Sequence, residues 1–140
     1  MIPFIDLKTK YQEWELAQRQ IVAERYRELL VRAASDELTL PWLVSGCTFV
    51  YAQFTLSVSN RDEFCERLNA AGIPTAVNYA VPLHLQPTSA QHEGETGDWS
   101  AAQVADARVA SQPTGPNLNA AGEADIVENV MVALHEQAVN

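Results

Sequence analysis

The spacing of apolar residues predicts a long helix in the first third of the chain and another near its end. Over residues 13–34 the apolar side chains recur three or four positions apart: Val22, Tyr26, Leu29, Leu30 and Ala33. The later stretch repeats this spacing: Ile126, Val127, Val130, Met131 and Leu134. Such spacing gathers apolar groups on one face of an α-helix. Asn119 precedes the later stretch, where a short polar side chain can cap the first free amides.

An alternation along the chain predicts a half-buried strand over residues 47–58. Four apolar side chains face one way in this pattern: Ala52, Phe54, Leu56 and Val58. The other way face Tyr51, Gln53, Thr55 and Ser57. The short sequence at residues 75–79, Thr-Ala-Val-Asn-Tyr, predicts a second strand.

Start and stop signals predict a helix between these two strands. Asn60 can cap its beginning with Glu63 in the first turn, and Gly72 with Pro74 ends it. Its expected inner face contains Phe64, Cys65, Leu68 and Ala71. Residues 80–97 predict a loop because prolines and glycines interrupt any period. An alanine-rich helix is expected over 99–110, followed by an extended segment.

This order of elements indicates an α+β fold, in which a small, mostly antiparallel sheet has its helices packed on one face. A sheet of this kind buries one side against the helices. Its other side must meet water, a ligand or a second layer of protein. No internal repeat modifies this prediction.

Composition and charge narrow the classes of partner. The 140 residues are 47% apolar and 19% charged, which is typical of one globular domain. No apolar run reaches the ~20 residues that a membrane-spanning helix needs, and the first residues do not resemble a secretory signal. A net charge of −9 offers no positive field to nucleic acid or to an anionic membrane. We expect a cytoplasmic protein that binds neither.

We expect the candidate metal ligands and the two thiols to have structural rather than chemical roles. Cys47 and Cys65 are too far apart for a paired-cysteine motif and are expected to be two buried, reduced thiols. The group formed by His92, Glu93 and Glu95 is expected to be a solvated charge run rather than a metal site. Packing is the expected role of the three tryptophans: Trp14, Trp42 and Trp99.

Three stretches of the chain carry a resemblance to a known family. They are RQIVAERYRELL, VYAQFTLSVSNRDEF and LNAAGIPTAVNYAVPLHLQP, within residues 15–134. The chain resembles the C-terminal small domain of the DegT/DnrJ/StrS family of pyridoxal-phosphate-dependent nucleotide-sugar aminotransferases. Its opening, IPFIDLKTKYQ, is similar to the extreme N-terminus of that family. The resemblance implies an N-terminal arm at 1–12 and an aminotransferase-like small domain at 13–140, with the large cofactor-binding domain missing.

That resemblance also implies what chemistry to expect. Members of the family need a lysine amine, an acidic partner for the pyridinium nitrogen and donors for the phosphate. This sequence has two lysines, Lys8 and Lys10, both in the arm and neither in the family's context. We therefore expect no catalytic residue, no bound cofactor and no activity of the chain by itself.

Four residues stand where the family places groups near its sugar nucleotide: Asn78, Tyr79, His84 and Gln86. The family's His-Tyr-Pro motif is Asn78-Tyr79-Ala80 here, so the first group loses the charge that a histidine can carry. A second departure falls at 111–117, where Gln112 and Gly115 replace an apolar residue and a histidine. The resemblance implies weak substrate contacts for the four residues. Packing or simple exposure is the alternative for Tyr79 and His84.

Three hypotheses about function follow from these observations. In the first, an inactive small domain self-associates, as a homodimer or larger homo-oligomer, through the face that the missing domain would cover. The arm from Ile2 to Leu7 would then reach the neighbouring copy. In the second, the chain is a binding or regulatory subunit for a nucleotide-sugar or for an intact aminotransferase. In the third, it is active only when a partner chain supplies cofactor and lysine.

Overall fold

The computed structural model describes residues 13–34, 37–89 and 99–137. Four helices occur in these ranges: α1 (Glu13–Leu30), α2 (Arg61–Ala70), α3 (Ser100–Arg108) and α4 (Ala120–Gln137). Three strands accompany them: β1 (Leu38–Thr39), β2 (Phe54–Val58) and β3 (Val109–Gln112). Short 3₁₀ turns occupy Val31–Ala33, Leu83–Leu85 and Pro87–Ser89. The predicted α+β class is confirmed, whereas the predicted arm lies outside the described residues and its separation from the domain stays a prediction.

The strands form one antiparallel sheet in the order β1-β2-β3. Leu38 pairs with Val58 on one side of the central strand, and Phe54 pairs with Gln112 on the other. Within β2 the residues Phe54, Leu56 and Val58 are fully buried, while the two between them are half-buried. This part of the predicted alternation is confirmed, because one face of the strand lies against the core.

The core lies between the sheet and the helices α1, α2 and α4. Its buried members include Val22, Tyr26, Leu30, Leu38, Phe54, Leu56, Val58, Phe64, Leu68, Ile126 and Val130. The rings of Tyr26 and Phe54 pack with centroids 5.1 Å apart, which joins α1 to the central strand. Helix α3 contributes no buried residue. Three of the predicted inner-face residues, Leu29, Ala71 and Met131, are exposed.

The predicted strand over 47–58 is wrong for its first seven residues. Tyr51 is buried and Ala52 is exposed, which reverses the expected facing. Tyr51 also has a φ of 45°, in the left-handed region where a strand cannot continue. Strand β1 is two residues long and pairs with Ser57 and Val58, so the described residues contain no partner strand beside residues 47–53. Only Phe54–Val58 of the predicted strand therefore join the sheet, and residues 47–53 precede it as an irregular segment.

Two further boundaries differ from the prediction. Residues 75–79 do not form a strand, and a single bridge joins Ala76 to Ser111 through two backbone hydrogen bonds of 3.1 and 2.8 Å. Helix α3 ends at Arg108, so Val109 and Ala110 belong to β3 rather than to the predicted helix. Pairing with β2 supplies hydrogen bonds to this stretch that its local sequence pattern does not reveal.

The predicted helix ends are mostly confirmed. Gly72 has a φ of 82°, the left-handed conformation that a glycine stop provides. The side-chain oxygen of Asn119 accepts a 2.9 Å hydrogen bond from the amide of Gly122 and so caps α4. Asn60 does precede α2 but makes no capping hydrogen bond there. Its side-chain amide donates instead to the carboxylate of Glu63.

Candidate functional site

A cleft of about 590 Å³ opens between the segment 78–84 and helix α3. One wall is a single face of the helix and its flanks, because Trp99, Ala102, Asp106 and Val109 follow each other at intervals of three or four. The segment 78–84 forms the other wall. A largely apolar cleft with a few polar groups is the usual form of a small-molecule site.

A stacked pair of rings joins the two walls. The His84 imidazole and the Trp99 indole have centroids 5.7 Å apart and planes inclined by 23°. The side-chain nitrogen of Gln103 lies 3.2 Å from His84 Nε2. These two contacts orient the imidazole, whose other nitrogen, Nδ1, has no hydrogen bond among the described contacts. Trp99, predicted to be a packing residue, is about half exposed and presents ring surface at the cleft.

Asn78 is held in the wall by the sheet. Its side-chain nitrogen donates to Ser111 Oγ at 3.2 Å, and that hydroxyl lies 2.9 Å from Thr55 Oγ1 in a further hydrogen bond. The donor end of the Asn78 amide is therefore directed toward the sheet. Its carbonyl oxygen is the end left to interact with a ligand.

Tyr79 combines backbone strain with exposure. Its φ of 59° is unusual for a residue with a bulky side chain, and 89% of the residue is accessible to solvent. Neither feature is what packing alone would produce, since an exposed aromatic gains little from the strained backbone that presents it. Tyr79 is thus a ring displayed at the open side of the cleft.

Asp106 is one of the residues in the helical wall of the cleft. Its Oδ1 atom is buried and has no hydrogen-bond partner. The guanidinium of Arg61 reaches this residue, but it donates to the Asp106 backbone oxygen at 3.1 Å and to the Asp62 carboxylate. Sequence reasoning missed both Asp106 and Trp99 as site residues. The interval of three and four from Trp99 to Val109 is the signal that could have found them.

The structure therefore brings together three of the four candidate residues. Asn78, Tyr79 and His84 line the cleft, whereas Gln86 does not and donates to the backbone oxygen of Val81 at 3.3 Å. The weak substrate contact expected of Gln86 stays a prediction. Whether the other three contact a substrate stays a prediction.

The second departure from the family pattern lies elsewhere, at a smaller cleft of about 310 Å³. Gln112 and Gly115 line it together with Arg19, whose guanidinium donates to the Thr114 backbone oxygen at 3.0 Å. Gln112 is buried, and neither atom of its amide has a hydrogen-bond partner. The departure at Asn78 therefore lies at the larger cleft, and the departure at Gln112 and Gly115 lies at the smaller one.

The buried hydroxyl of Tyr26 is bonded to Pro113, one of the residues that line this second cleft. The Tyr26 hydroxyl donates to the Pro113 backbone oxygen at 2.8 Å, and Arg25 Nη1 donates to Glu123 Oε1 at 3.1 Å. Burial raises the pKa of Tyr26 well above its ordinary range, and the negative charge of Glu123 adds to the effect. Tyr26 is therefore a neutral hydrogen-bond donor that ties α1 to the segment after β3.

An exposed apolar surface lies on the irregular segment before β2. We define the loop surface as Trp42, Val44, Phe49 and Val50, each at least half exposed. Trp42 is 81% exposed, so its predicted packing role is wrong, and Cys47 in the same segment is an exposed free thiol rather than a buried one. Residues 38–60 contain no charged side chain. The loop surface is therefore both apolar and locally uncharged.

The part of the chain that the structure describes offers neither a metal cluster nor a membrane-spanning helix. Within it, no three or more His, Cys, Asp or Glu side chains are arranged to hold a metal ion. No helix in the ranges 13–34, 37–89 and 99–137 has the length and apolarity to cross a bilayer. The predicted charge run of His92, Glu93 and Glu95, the arm with Lys8 and Lys10, and the Trp14 side chain lie outside the described residues.

Comparison with known proteins identifies similar chains. Residues 7–131 match the DegT/DnrJ/EryC1/StrS aminotransferase family. UDP-2-acetamido-2-deoxy-3-oxo-D-glucuronate aminotransferase from Pseudomonas aeruginosa is 36% identical over 116 residues, which cover 81% of this chain and 30% of that protein. The pleiotropic regulatory protein of Geobacillus stearothermophilus is 34% identical over 113 residues, with the same two shares.

A solved structure shows the same likeness in three dimensions. The crystal structure of a DegT DnrJ EryC1 StrS aminotransferase from Brucella abortus superimposes with a TM-score of 0.79 at 29% identity. The match covers 91% of this chain and 33% of that one. The chain thus spans about 30% of the length of the curated relatives it matches.

Proposed function

This chain belongs to the DegT/DnrJ/EryC1/StrS aminotransferase family, and we propose that it is a small domain of the sugar-aminotransferase type that has no catalysis of its own and self-associates through the loop surface. The observation that carries the proposal is the contrast between an uncharged apolar loop surface and the absence of any lysine from residues 13–140. The first feature favours a protein partner. The second removes the amine on which the family's chemistry depends.

The described residues do not fit the family's cofactor. The family uses pyridoxal phosphate. Here the described residues hold no lysine for its aldehyde. At the start of α4, where a glycine lies in the first turn, the Gly122 amide already donates to Asn119 Oδ1. No catalytic step is therefore assigned to these residues.

Self-association is supported by the chemistry of the loop surface. Each copy carries a net charge of −9, so two copies repel each other except where their contact is free of charge. Residues 38–60 provide such a region. At ~25 cal/mol per Å², burying even 400 Å² of apolar surface is worth on the order of 10 kcal/mol before the costs of association. A twofold dimer is the simplest arrangement that covers the same patch on both copies.

Equilibrium sedimentation of the full chain at micromolar concentration tests this proposal. We expect a homodimer or larger homo-oligomer whose mass falls on dilution. A matched pair of substitutions locates the contact. Val44→Ser on the loop surface is expected to shift the equilibrium toward monomer, whereas Val132→Ser on α4 is expected to leave it unchanged. The two valines are 51% and 52% exposed, so they differ in position rather than in burial. A chain that stays monomeric at all concentrations contradicts the proposal.

The absence of catalysis has its own test. We expect the purified chain, mixed with pyridoxal phosphate and an amino donor, to transfer no amino group to a keto sugar nucleotide. Adducts at Lys8 and Lys10 are the foreseeable interference, and Lys8→Arg with Lys10→Arg removes them. Amino transfer by this chain in the absence of another protein would contradict the proposal. Transfer only after an intact family member is added would favour the third hypothesis, a shared active site.

The cleft supports a second candidate function, a binding or regulatory unit. The observation that favours it is the convergence of Asn78, Tyr79 and His84 on one concave surface. Titration of the ¹⁵N-labelled chain with UDP-N-acetylglucosamine tests the ligand form of this candidate. Shifts centred on residues 78–84 and 99–109 support it, and unchanged spectra contradict it. In the protein form of this candidate the chain docks on an intact aminotransferase, and co-sedimentation with such an enzyme tests it.

We further propose a reducing, cytoplasmic location, which the exposed free thiol of Cys47 supports.

A further inference from the structure

The loop surface is small for a contact that has to hold a second copy. Its four side chains, Trp42, Val44, Phe49 and Val50, are each at least half exposed. An aromatic side chain offers about 150–250 Å², so the four together present a few hundred Å². A stable interface buries about 800 Å² on each partner. The contact between copies therefore needs a further apolar segment that lies against the loop surface.

The residues before α1 contain a segment of matching chemistry. We define the arm segment as residues 2–7, which hold five apolar side chains and one acid: Ile2, Pro3, Phe4, Ile5 and Leu7, with Asp6. Residues 1–5 carry no charged side chain, and neither do residues 38–60. The two stretches can therefore lie against each other without burying an unpaired charge, which would be costly.

The start of α1 is close enough to the loop surface for the arm segment to reach a contact there. The side chain of Gln20 donates to the Phe49 backbone oxygen at 3.4 Å, so the loop lies beside α1. Gln20 is seven residues after Glu13, which places it ~10 Å further along the helix axis. Residues 8–12, which join the arm segment to α1, extend up to ~16 Å. This length is sufficient to bring the arm segment to the contact between two copies.

Charge also favours an arm that crosses between copies. The only lysines of the chain, Lys8 and Lys10, follow the arm segment, whereas the whole chain carries a charge of −9. Glu24 and Glu28 are exposed and lie on the same stripe of α1 as Gln20. Neither carboxylate forms an ion pair within the described residues. Lysines placed beside these acids reduce the repulsion between two negatively charged chains.

We propose that the arm segment of each copy packs on the loop surface of a second copy, with the two lysines beside Glu24 and Glu28 of that second copy. The inference rests on the proposed self-association and names the segment that supplies the rest of its contact. The arm segment can also reach the loop surface of its own chain, but that surface would then be covered and no longer available to a second copy. Exchange of arms across a twofold axis covers both loop surfaces at once.

A matched pair of double substitutions in the full chain tests the apolar part of the contact. Phe4→Ser with Ile5→Ser makes the arm segment polar and is expected to raise the dimer dissociation constant on the order of tenfold or more. Phe4→Leu with Ile5→Val keeps the segment apolar, and its expected effect is smaller than about threefold. Equilibrium sedimentation measures the constants, and thermal unfolding verifies that both variants fold.

The lysines have a test that depends on salt. Lys8→Gln with Lys10→Gln removes both charges and is expected to weaken association severalfold at low salt, with the difference vanishing at high salt because exposed charges are screened. Lys8→Arg with Lys10→Arg keeps both charges and is expected to leave association unchanged. An effect of the glutamine pair that persists at high salt, or no effect at all, contradicts the place given to the lysines.

Cross-linking distinguishes an arm on a second copy from an arm on its own chain. Cys47 lies between Val44 and Phe49 and is an exposed free thiol. A chain with Ile5→Cys and Cys47→Ser is mixed with the ¹⁵N-labelled unaltered chain and treated with a short bismaleimide. The thiol introduced in the arm can then meet Cys47 only on another copy. We expect a product with the mass of one labelled and one unlabelled chain, joined between position 5 and Cys47.

The outcomes separate this inference from the self-association on which it rests. If Ile5→Cys, in a chain that keeps Cys47, is cross-linked only within single chains, the arm covers its own chain and the inference is overturned. If Phe4→Ser with Ile5→Ser leaves the dissociation constant unchanged, the inference is overturned and self-association stands. If the unaltered chain is monomeric at all concentrations, both are overturned.

Discussion

Large apolar side chains are buried in the core of this domain but exposed on the loop surface and at the cleft. In the core, Tyr26 of α1 and Leu68 of α2 are fully buried, as is Phe54 of the central strand, against which these helices pack. On the loop surface and at the cleft, large apolar groups such as Trp42 and Tyr79 remain in contact with solvent. Stability therefore comes from one part of the molecule, and the features that suggest a partner or a ligand lie in another. Substitutions should affect either folding or association, and seldom both.

A leucine from each region provides the strongest test of this contrast. Leu56→Ala removes a fully buried side chain of β2, and we expect it to lower the free energy of unfolding by about 2–5 kcal/mol. Leu83→Ala makes the same change at the cleft, where the residue is 73% exposed, and its expected effect is within about 0.5 kcal/mol. Urea denaturation measures both values. Similar losses of stability from the two substitutions would contradict the division of roles.

Tyr26 provides a test that depends on pH. Its raised pKa means that the folded chain holds this proton at pH values where the unfolded chain, with a tyrosine pKa of about 10, loses it. The contribution of Tyr26 to stability is therefore complete below pH ~10 and declines as the pH rises further. Tyr26→Phe is expected to cost about 1 kcal/mol at neutral pH by removing the hydrogen bond to Pro113.

The measurement is the free energy of unfolding against pH, from neutral to alkaline conditions. The unaltered chain is expected to lose stability more steeply than Tyr26→Phe above pH ~10, so the two curves converge. Tyr79→Phe is the matched control, because that residue is exposed and its hydroxyl is not part of the core. Parallel curves for the unaltered chain and Tyr26→Phe would show that the Tyr26 proton is not retained by folding.

The two predicted helix caps provide the pair of variants with the smallest expected difference. Asn119→Ala removes the hydrogen bond to the Gly122 amide and is expected to lower stability by about 1 kcal/mol. Asn60→Ala removes no capping hydrogen bond, and we expect a smaller loss. Thermal unfolding of both variants measures the two losses of stability. An equal or larger loss at Asn60 would mean that its contact with Glu63 stabilises α2 as well as a true cap does.

Sequence patterns predicted the core better than the exposed surfaces, for a physical reason. Burial imposes a period, so the stripe in α4 and the alternation in Phe54–Val58 are visible along the chain. Residues 47–53 belong to the same predicted strand, but no strand of the described residues lies beside them, and a pairing partner cannot be read from one segment. Trp42 was expected to pack because tryptophans usually do, and only the fold shows that nothing in the described residues covers it.

The candidate site was predicted in part because it depends on contacts between distant segments. Asn78, Tyr79 and His84 were named from a motif and do line one cleft. Asp106 and Trp99 belong to a different helix, and their proximity to the motif follows from the position of α3. Gln86 is close to the motif in sequence, yet its amide bonds to its own segment instead.

Hydrogen–deuterium exchange at two protein concentrations tests the central claim most directly, namely that the core stabilises the fold while the loop surface associates with a second copy. The claim predicts that amides in 42–50 exchange more slowly at the higher concentration, whereas amides of Phe54–Val58 are protected equally at both. Exchange in 42–50 that is independent of concentration, while another surface gains protection or none does, would contradict it.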